Sequence, residues 1–287
     1  MKQKNEGWVC GAVGVVIFSC SMPATQAALM GFSPLFLTLA RASLAGFAAC
    51  GVLVAFPQPW PTGRDFISLS IVLAGAVLGF PLSSALALQQ INAAQAQIFM
   101  AILPLFTALF GVLRTAERPH LGFWVFAIIG GALVLTVSFL HHGGGMPRQG
   151  EALMLASIII CGLGYAEGAK LSRKLGSWQV ICWALVLGLP LAILLGWLNW
   201  PADPAHIPEA AWVGLGYVSL FSMLIGFVFW YRGLALGGIA AVGQIQLLQP
   251  GLGLIASAVL FNETLPPLML LATLGGVVCV YGARRFC

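Results

Sequence analysis

Residues 102–119, ILPLFTALFGVLRTAERP, and residues 248–265, LQPGLGLIASAVLFNETL, are one apolar segment written twice. Each copy has a proline near its start and a glutamate near its end, and 146 residues separate Glu117 from Glu263. The two prolines, and a glycine in the apolar stretch that follows each copy, are separated by the same 146 residues. Many membrane transporters are built from internal repeats of this kind. The two segments therefore predict a duplicated membrane protein.

The composition excludes a soluble domain. Of the 287 residues, 60% are hydrophobic and only 7% are charged, and the mean hydropathy is +0.98. Such a chain has too few charges to cover a surface in water, so we predict an all-α integral membrane protein. Ten apolar stretches are each close to the roughly 20 residues that cross a bilayer. They are Trp8–Thr25, Ser33–Phe56, Phe66–Gln89, Ala93–Leu113, Leu121–Leu140, Ala152–Leu171, Trp178–Asn199, Ala210–Tyr231, Gly238–Phe261 and Leu265–Gly282.

The distribution of lysine and arginine predicts the orientation in the membrane, because cationic loops stay in the cytoplasm. With both termini cytoplasmic, 11 of the 13 basic residues fall on the inner side, Arg148 falls outside, and Arg41 lies within the second span. The net charge of +5 follows from this bias and does not call for a nucleic-acid partner. The inner residues are Lys2, Lys4, Arg64, Arg114, Arg118, Lys170, Arg173, Lys174, Arg232, Arg284 and Arg285.

The number of spans in each repeat predicts how the repeats are related. Five is an odd number, so the second copy enters the membrane from the opposite side and the repeats are inverted. Two such copies can pack in two related ways, and exchange between the two packings opens a central cavity to either side in turn. We divide the chain into a first five-helix repeat (1–140), a glycine-rich periplasmic linker (141–150) and a second repeat (151–287).

The N-terminus admits a second interpretation. Lys2, Lys4, an apolar core and the run Ala24-Thr25-Gln26-Ala27 resemble a cleavable signal peptide. Cleavage would remove the repeat partner of the sixth span and leave nine spans, which the charge pattern does not favour.

The reactive side chains do not form a catalytic or metal-binding pattern. Six of the seven cysteines lie inside apolar spans without a Cys-x-x-Cys motif, so we interpret them as buried hydrophobes. His141 and His142 could hold a metal ion, but a solvated turn is the simpler interpretation. The sequence has no phosphate-binding loop, which excludes ATP hydrolysis by this chain. We expect no enzyme activity, no metal and no cofactor.

Three further features identify a family. A glutamate follows the fourth and the ninth span, and Arg41 lies within Leu39-Ala40-Arg41-Ala42-Ser43-Leu44-Ala45. Together with the ten spans and the inverted duplication, these features resemble the EamA-domain branch of the drug/metabolite transporter superfamily, over nearly the whole chain. Within that branch, the length and tryptophan content are similar to those of bacterial amino-acid exporters of the YddG type. The resemblance implies a basket of helices around a cavity lined mainly by spans 1, 3, 4, 6, 8 and 9, with spans 5 and 10 at the back.

Polar and aromatic side chains inside the spans are the candidates for substrate binding. A glutamine amide in hydrocarbon must face protein, substrate or water, and hydrogen bonds between helices would also satisfy it. Neutral amides suit a zwitterion because they donate to a carboxylate and accept from an ammonium group, while aromatic rings stack on apolar side chains. On the fourth span, Gln95 and Phe99 are one turn apart, which places Gln97 on another face. The predicted substrate-binding residues are Ser19, Met22, Phe80, Ser83, Gln95, Phe99, Tyr165, Trp230, Gln244 and Gln246.

Four prolines inside apolar spans predict bends. Each removes a backbone hydrogen bond from its helix, although such kinks also occur in membrane helices without a gating role. The four are Pro23, Pro81, Pro104 and Pro250.

Two charged residues at membrane depth carry separate hypotheses. Glu167 lies three residues before Lys170, a spacing that permits an ion pair. The alternative is a proton or cation site, because an ionisable group inside a membrane is costly. Arg41 could meet a substrate carboxylate, or it could bond to the carbonyl groups of a neighbouring helix.

The repeated glutamates, Glu117 and Glu263, match the family signature. We expect them to close helix ends or to pair with Arg114 and Arg118, and not to contact the substrate first.

The sequence thus predicts a secondary transporter of the bacterial inner (cytoplasmic) membrane that exports amino acids, including large apolar or aromatic ones, and similar small metabolites by alternating access. A proton-coupled exporter of cationic drugs, with Glu167 as its site, is the alternative. A passive channel and a membrane-embedded enzyme are more remote. The expected partners are the lipid bilayer and the small-molecule substrate. Glycine pairs in the fifth and tenth spans allow close packing within one chain or in a homodimer.

Overall fold

The computed structural model describes residues 2–115, 117–141, 149–261 and 267–286. Glu263 and most of the predicted periplasmic linker lie outside the described residues. Across the described ranges, the regular structure is helical, and eight helices are long and apolar enough to cross a membrane. An all-helical membrane protein is therefore confirmed, with length and composition supporting eight of the ten predicted spans.

We number the helices α1 to α10 in chain order, at the positions of the predicted spans. Helices α5 (Leu121–His141) and α10 (Pro267–Arg284) stand at the fifth and tenth positions. A short 3₁₀ turn, Pro204–His206, lies between α7 and α8. The eight candidate membrane helices are α1 (Gln3–Ala28), α2 (Pro34–Ala55), α3 (Gly63–Ala87), α4 (Gln95–Arg114), α6 (Gln149–Leu175), α7 (Ser177–Leu198), α8 (Glu209–Gly237) and α9 (Ile239–Leu260).

Four helices contain a stretch of backbone that is not α-helical, and the stretches follow the repeat. α3 and α8 contain π-helical backbone at Leu73–Gly79 and Tyr217–Gly226. α4 and α9 contain 3₁₀ backbone at Met100–Ile102 and Gln244–Leu248. Shifting the first repeat by 146 residues places each of its two stretches inside the matching stretch of the second. Such irregular turns in the middle of helices often mark hinges and functional sites.

The helices pack in pairs that are preserved when the two repeats are exchanged. α1 packs along α8, and their counterparts α6 and α3 pack along each other in the same way. α2 pairs with α7, α4 with α9, and α5 with α10. The two halves are therefore related by a pseudo-twofold axis.

One end of the bundle, which we call the charged end, carries five of the six ion pairs among the described residues. Near the start of α1, Glu6 accepts from Arg232 near the end of α8, with Nη2 and Oε1 2.5 Å apart. Near the start of α3, Asp65 is 2.6 Å from the Nζ atom of Lys174, which lies near the end of α6.

A second set of contacts shows that these pairs lie at the same end. Glu117, which follows α4, pairs with Arg173 of α6. It also lines one surface pocket, of about 230 Å³, together with Lys4 of α1 and Gly237 of α8. The bundle end where α1 starts is thus the end where α6, its repeat counterpart, finishes. The two repeats run in opposite directions, as an inverted duplication requires.

Glycines allow two close helix contacts. A Cβ atom added to Gly233 would lie 2.6 Å from the backbone nitrogen of Gly11, so α1 and α8 meet backbone to backbone near the charged end. A Cβ atom added to Gly275 of α10 would lie 2.2 Å from Cδ2 of Leu133 on α5. This glycine of the tenth helix therefore serves packing within the chain, and a homodimer stays a prediction.

Candidate functional site

Five aromatic rings from α1, α6 and α8 meet in the buried core. They are Phe18, Tyr165, Phe227, Trp230 and Tyr231, and none is more than 4% exposed. The ring centroid of Tyr165 lies 5.5 Å from that of Trp230 and 5.6 Å from that of Phe227. Phe18 reaches the same three rings at 5.2 to 6.3 Å. The structure thus brings Tyr165 and Trp230 together with Tyr231, the neighbour of Trp230 on α8, and adds Phe18 and Phe227, which the sequence analysis did not propose.

Four glutamine side chains from α4 and α9 are buried without filling their hydrogen-bonding capacity. Gln244 and Gln246 are 1% and 0% exposed, and among the described residues their amide atoms make no hydrogen bond of regular geometry, although the amide of Gln246 faces Tyr165. Gln97 and Gln249 each donate through the amide nitrogen but leave the carbonyl oxygen without a partner. Such groups are rare in native proteins, since each unpaired buried group costs about 1–3 kcal/mol. The four amides therefore mark a polar centre that fits water or a ligand.

The backbone of α9 explains why two of these amides lie on the same side of the helix. Pro250 lacks a backbone N–H, and the helix preceding it tightens to 3₁₀ geometry. In a 3₁₀ helix, residues three apart lie directly above each other, which puts Gln246 and Gln249 on the same side. Gln246 also lies beside Tyr165, so the polar centre adjoins the aromatic rings.

Two buried donors also lack partners. The indole nitrogen of Trp230 and the Nε atom of Arg41 make no hydrogen bond with any described residue. Arg41 is 5% exposed and belongs to α2, which packs on the π-helical stretch of α8. Both nitrogen atoms can only donate a hydrogen bond, so an anionic oxygen or a carbonyl oxygen is a suitable partner for them.

The other predicted residues of spans 1, 3 and 4 differ in burial. Ser19 is 3% exposed, and its hydroxyl donates to the carbonyl oxygen of Val16 at 2.7 Å. Met22 is part of the main hydrophobic core, and Phe80 and Phe99 pack against that core while half-buried. Ser83 is half-buried on α3.

The structure gives the two glutamines of α4 different surroundings. Gln95 lies in the first turn of the helix, where its Oε1 accepts from the backbone of Asn92 and its backbone donates to the Asn92 side chain. Gln97, predicted on another face, is completely buried and packs against Gly253 of α9. The reciprocal capping of Asn92 and Gln95 was the sequence signal for this difference, because Asn followed three residues later by Gln marks a helix start.

Glu167 lies in a network that the sequence predicted only in part. Its side chain is 0% exposed, and Oε1 is 3.5 Å from the Nζ atom of Lys170, the predicted partner. A shorter contact, 2.6 Å, joins Oε2 to Nε of Arg114 on α4, and Ser68 of α3 donates to Oε1 at 2.6 Å. Three helices thus meet at one buried carboxylate at the charged end.

Glu117 closes a helix end, as expected for the family signature, but its cationic partner is different. Its two carboxylate oxygens accept from the backbone nitrogens of Ile239 and Ala240, both at 3.0 Å, which are the first two residues of α9. The ion pair is with Arg173 and not with Arg114 or Arg118. A glutamate of the first repeat therefore caps a helix of the second.

Comparison with known proteins places this geometry in a family. The model of the EamA-like transporter family matches residues 6–139 and again residues 148–284. The chain is 54% identical over 286 residues to the Uncharacterized transporter YdeK of Bacillus subtilis, with 100% of this chain and 99% of that protein covered. It is 23% identical over 227 residues to an uncharacterized transporter of Archaeoglobus fulgidus, with 77% and 76% covered. A crystal structure of a protein with 18% identity superposes with a TM-score of 0.77 over 98% of this chain and 97% of that one, which shows the same fold. The chain belongs to the EamA-like transporter family and is a membrane transporter.

Proposed function

We propose that this transporter exports amino acids, including large apolar and aromatic ones, across the bacterial inner membrane by alternating access. The observation that carries the proposal is the set of unpaired buried amides next to the aromatic rings of Tyr165 and Trp230. A zwitterion with an apolar side chain needs donors, acceptors and an apolar wall within a few ångströms of one another, and this region supplies all three.

The acceptors in this polar centre suit an ammonium group. The amide nitrogens of Gln97 and Gln249 are already bonded to carbonyl oxygens of α1, which fixes both Oε1 atoms as free acceptors. An ammonium group carries three donors and no acceptor, so it matches oxygen atoms of this kind.

The donors in the same region suit a carboxylate. The unpaired Nε2 atoms of Gln244 and Gln246, Nε1 of Trp230 and Nε of Arg41 can only donate. Hydrogen bonds from such donors to an ionised group are stronger than those between neutral groups. The rings of Phe18, Tyr165 and Trp230 would then take the apolar side chain.

The contacts of Glu167 do not favour the alternative of a cationic-drug exporter. The carboxylate already has a cationic partner at each oxygen, with Nε of Arg114 2.6 Å from Oε2 and Nζ of Lys170 3.5 Å from Oε1. A cationic substrate would have to displace these side chains before it could meet the negative charge. No cationic side chain occupies the unpaired amides next to the aromatic rings among the described residues, so a substrate can bind there without displacing one. This difference supports an amino acid over a cation as the substrate.

Alternating access assigns the charged end a role as one of two gates. We infer that this end faces the cytoplasm, because it carries the basic residues that cationic loops place inside. It is closed by the pairs between Asp65 and Lys174 and between Glu117 and Arg173. The cations Lys174 and Arg173 are 57% and 40% exposed, although Asp65 is buried, so water can replace either carboxylate at its cation when the pairs break during transport.

The test of this function is counterflow of amino acids in proteoliposomes. Uptake of one labelled amino acid is measured into vesicles preloaded with single unlabelled amino acids, with and without a pH gradient. We expect uptake to rise when leucine, phenylalanine or a similar amino acid is preloaded, and not when the matching 2-hydroxy acid, which lacks the ammonium group, is preloaded.

Other outcomes separate the alternatives. Uptake that does not respond to the preloaded solute indicates a channel. Counterflow of a lipophilic cation, with no response to any amino acid in folded protein, contradicts the proposal and supports the cationic-drug exporter.

The gate function of Glu117 predicts a local change at the start of α9. Replacing Glu117 by alanine removes the acceptor for two backbone N–H groups, and the loss of a helix cap costs about 1 kcal/mol. We expect amide hydrogen exchange in the peptide that covers Ile239 and Ala240 to become roughly five- to tenfold faster. Glu6→Ala is the matched control, because it breaks the pair with Arg232 at the same end but does not touch these amides. Equal exchange in wild type and Glu117→Ala would count against the gate.

A further inference from the structure

Helix α1 bends in the middle of the bundle, and its carbonyl groups near the bend are bonded in an unusual way. The regular helix is interrupted at Cys20, whose φ of −84° and ψ of −3° stay in the right-handed region but differ from regular α-helical values, and we call this interruption the bend. Four consecutive carbonyl oxygens before the bend, those of residues 16 to 19, each accept a hydrogen bond from a side chain. Ser19 itself supplies one donor, and three other helices supply the rest.

Pro23 explains why one of these carbonyl groups needs a donor. In an α-helix the N–H of residue 23 would bond to the carbonyl oxygen of residue 19. Proline has no N–H, so the carbonyl oxygen of Ser19 loses its regular partner. The side chain of Gln97 on α4 takes this place, with its Nε2 atom 2.7 Å from the oxygen. Because both groups are buried, the bond replaces what would otherwise be an unpaired backbone acceptor.

Two more donors come from irregular stretches of other helices. The hydroxyl of Tyr217, at the start of the π-helical stretch of α8, donates to the carbonyl oxygen of Ile17 at 2.8 Å. The side-chain amide nitrogen of Gln249, directly after the 3₁₀ stretch of α9, donates to the carbonyl oxygen of Phe18 at 3.4 Å. The bend of α1 is therefore bonded to α4 and to α8 and α9 at or next to their irregular stretches.

The second repeat provides an internal comparison. In the second repeat, the helix that corresponds to α1 is α6, which is one uninterrupted helix, Gln149–Leu175. At the position that matches Pro23 it has Ala169, which keeps the backbone donor. The positions that match Gln97, Gln249 and Tyr217 hold residues whose side chains cannot donate: Gly243, Leu103 and Ile71. The proline and its three side-chain donors thus occur together in one repeat and are absent together from the other.

We propose that Gln97 is a positioning residue, which holds the bend of α1 by replacing the backbone donor that Pro23 lacks, and that Gln249 and Tyr217 assist it. The bend sets the position of Phe18, whose carbonyl oxygen accepts from Gln249 and whose ring touches Tyr165 and Trp230. Releasing the bend moves that ring relative to the aromatic wall. The two repeats are consequently not equivalent, since only α1 carries a bend held from outside.

A double-mutant cycle between Pro23 and Gln97 tests this assignment. Gln97→Met keeps the size of the side chain but removes the donor, and we expect it to lower the rate of amino-acid counterflow roughly tenfold. In a Pro23→Ala background the N–H of residue 23 can bond to the carbonyl oxygen of Ser19. There the same Gln97→Met change is expected to cost a clearly smaller factor, because the backbone N–H then serves the carbonyl oxygen of Ser19 and only the loss of Oε1 from the polar centre remains.

Gln246→Met is the matched control for the cycle. Gln246 is equally buried and also a glutamine, but it makes no bond to α1. Its substitution should cost the same factor in the wild-type and the Pro23→Ala backgrounds. Equal costs of Gln97→Met in both backgrounds would overturn the assignment.

Hydrogen exchange gives a second readout that does not depend on the substrate. We expect Gln97→Met to speed amide exchange in the peptide that covers residues 15–28, and Pro23→Ala to restore slow exchange in the double variant. Unchanged exchange in the single variant would also overturn the assignment. The counterflow experiment rests on the proposed function, whereas the hydrogen-exchange experiment does not. If the protein transports no amino acid, hydrogen exchange still tests the role of Gln97.

Discussion

Replacing Gln246 by leucine is expected to lower amino-acid counterflow by roughly 100-fold, since hydrogen bonds to ionised groups contribute about 1.5–3 kcal/mol each. The side chain is 0% exposed, beside Tyr165, and offers both a donor and an acceptor without a partner. Leucine fills a similar volume, so the fold should persist while the polar contact is lost. The measurement is the initial rate of counterflow in proteoliposomes that contain equal amounts of folded protein.

Gln95→Leu is the comparison variant for this prediction. Both glutamines were predicted substrate contacts, but Gln95 lies at the start of α4, where it caps the backbone of Asn92. We expect Gln95→Leu to lower thermal stability through the lost cap while the counterflow rate at saturating substrate falls less than about twofold. Equal losses of transport in both variants would contradict the position assigned to the polar centre.

The second large effect is expected at the charged end, from Arg114→Ala. Removal of the guanidinium leaves the buried carboxylate of Glu167 with only Ser68 and the more distant Lys170. Breaking a buried ion pair on one side costs about 3–5 kcal/mol, and we expect about 3 kcal/mol because Arg114 is itself 38% exposed. The measurement is the free energy of unfolding in mild denaturant at pH 7.

A double variant separates the ion pair from simple loss of packing. Glu167→Gln removes the charge that Arg114 neutralises and retains an acceptor for the hydroxyl of Ser68. If the pair accounts for the loss, Arg114→Ala should cost much less when Glu167→Gln is already present. Additive losses would show that Arg114 acts through packing of its side chain and not through its charge.

The large features of the fold could be predicted from the sequence because they follow from hydrophobic length and from the repeat. The offset of 146 residues between Glu117 and Glu263 predicted two copies, and the helix pairing agrees with it. The pair of Tyr165 and Trp230 could also be anticipated, since the resemblance to the family put both of their helices at the cavity. The two copies follow from composition and periodicity, which a single sequence displays directly, whereas the position of this pair was implied by the resemblance.

Contacts between distant segments could not be predicted in the same way. Arg114 and Glu167 are 53 residues apart, and only the packing of α4 on α6 brings them together. The burial of Gln97 could not be predicted for the same reason, because it depends on the packing of α4 on α9, where Gln97 lies against Gly253.

The irregular backbone was only partly readable from the prolines. Pro104 and Pro250 each follow a 3₁₀ stretch after one intervening residue, as expected for residues that remove a backbone donor. The π-helical stretch of α3 precedes Pro81, but the matching stretch of α8 has Phe227 at that position. A proline therefore cannot be the local signal for the second π stretch.

The central claim is that the buried amides and rings bind an amino acid, and equilibrium binding tests it most directly. The measurement is isothermal titration calorimetry of leucine and phenylalanine against the wild-type protein and Gln246→Leu, both in lipid nanodiscs. The account predicts saturable binding to the wild type that the matching 2-hydroxy acid does not displace, and binding weakened by roughly 100-fold in Gln246→Leu. Binding of equal strength to both proteins, or no binding of any amino acid to folded wild type, would contradict it.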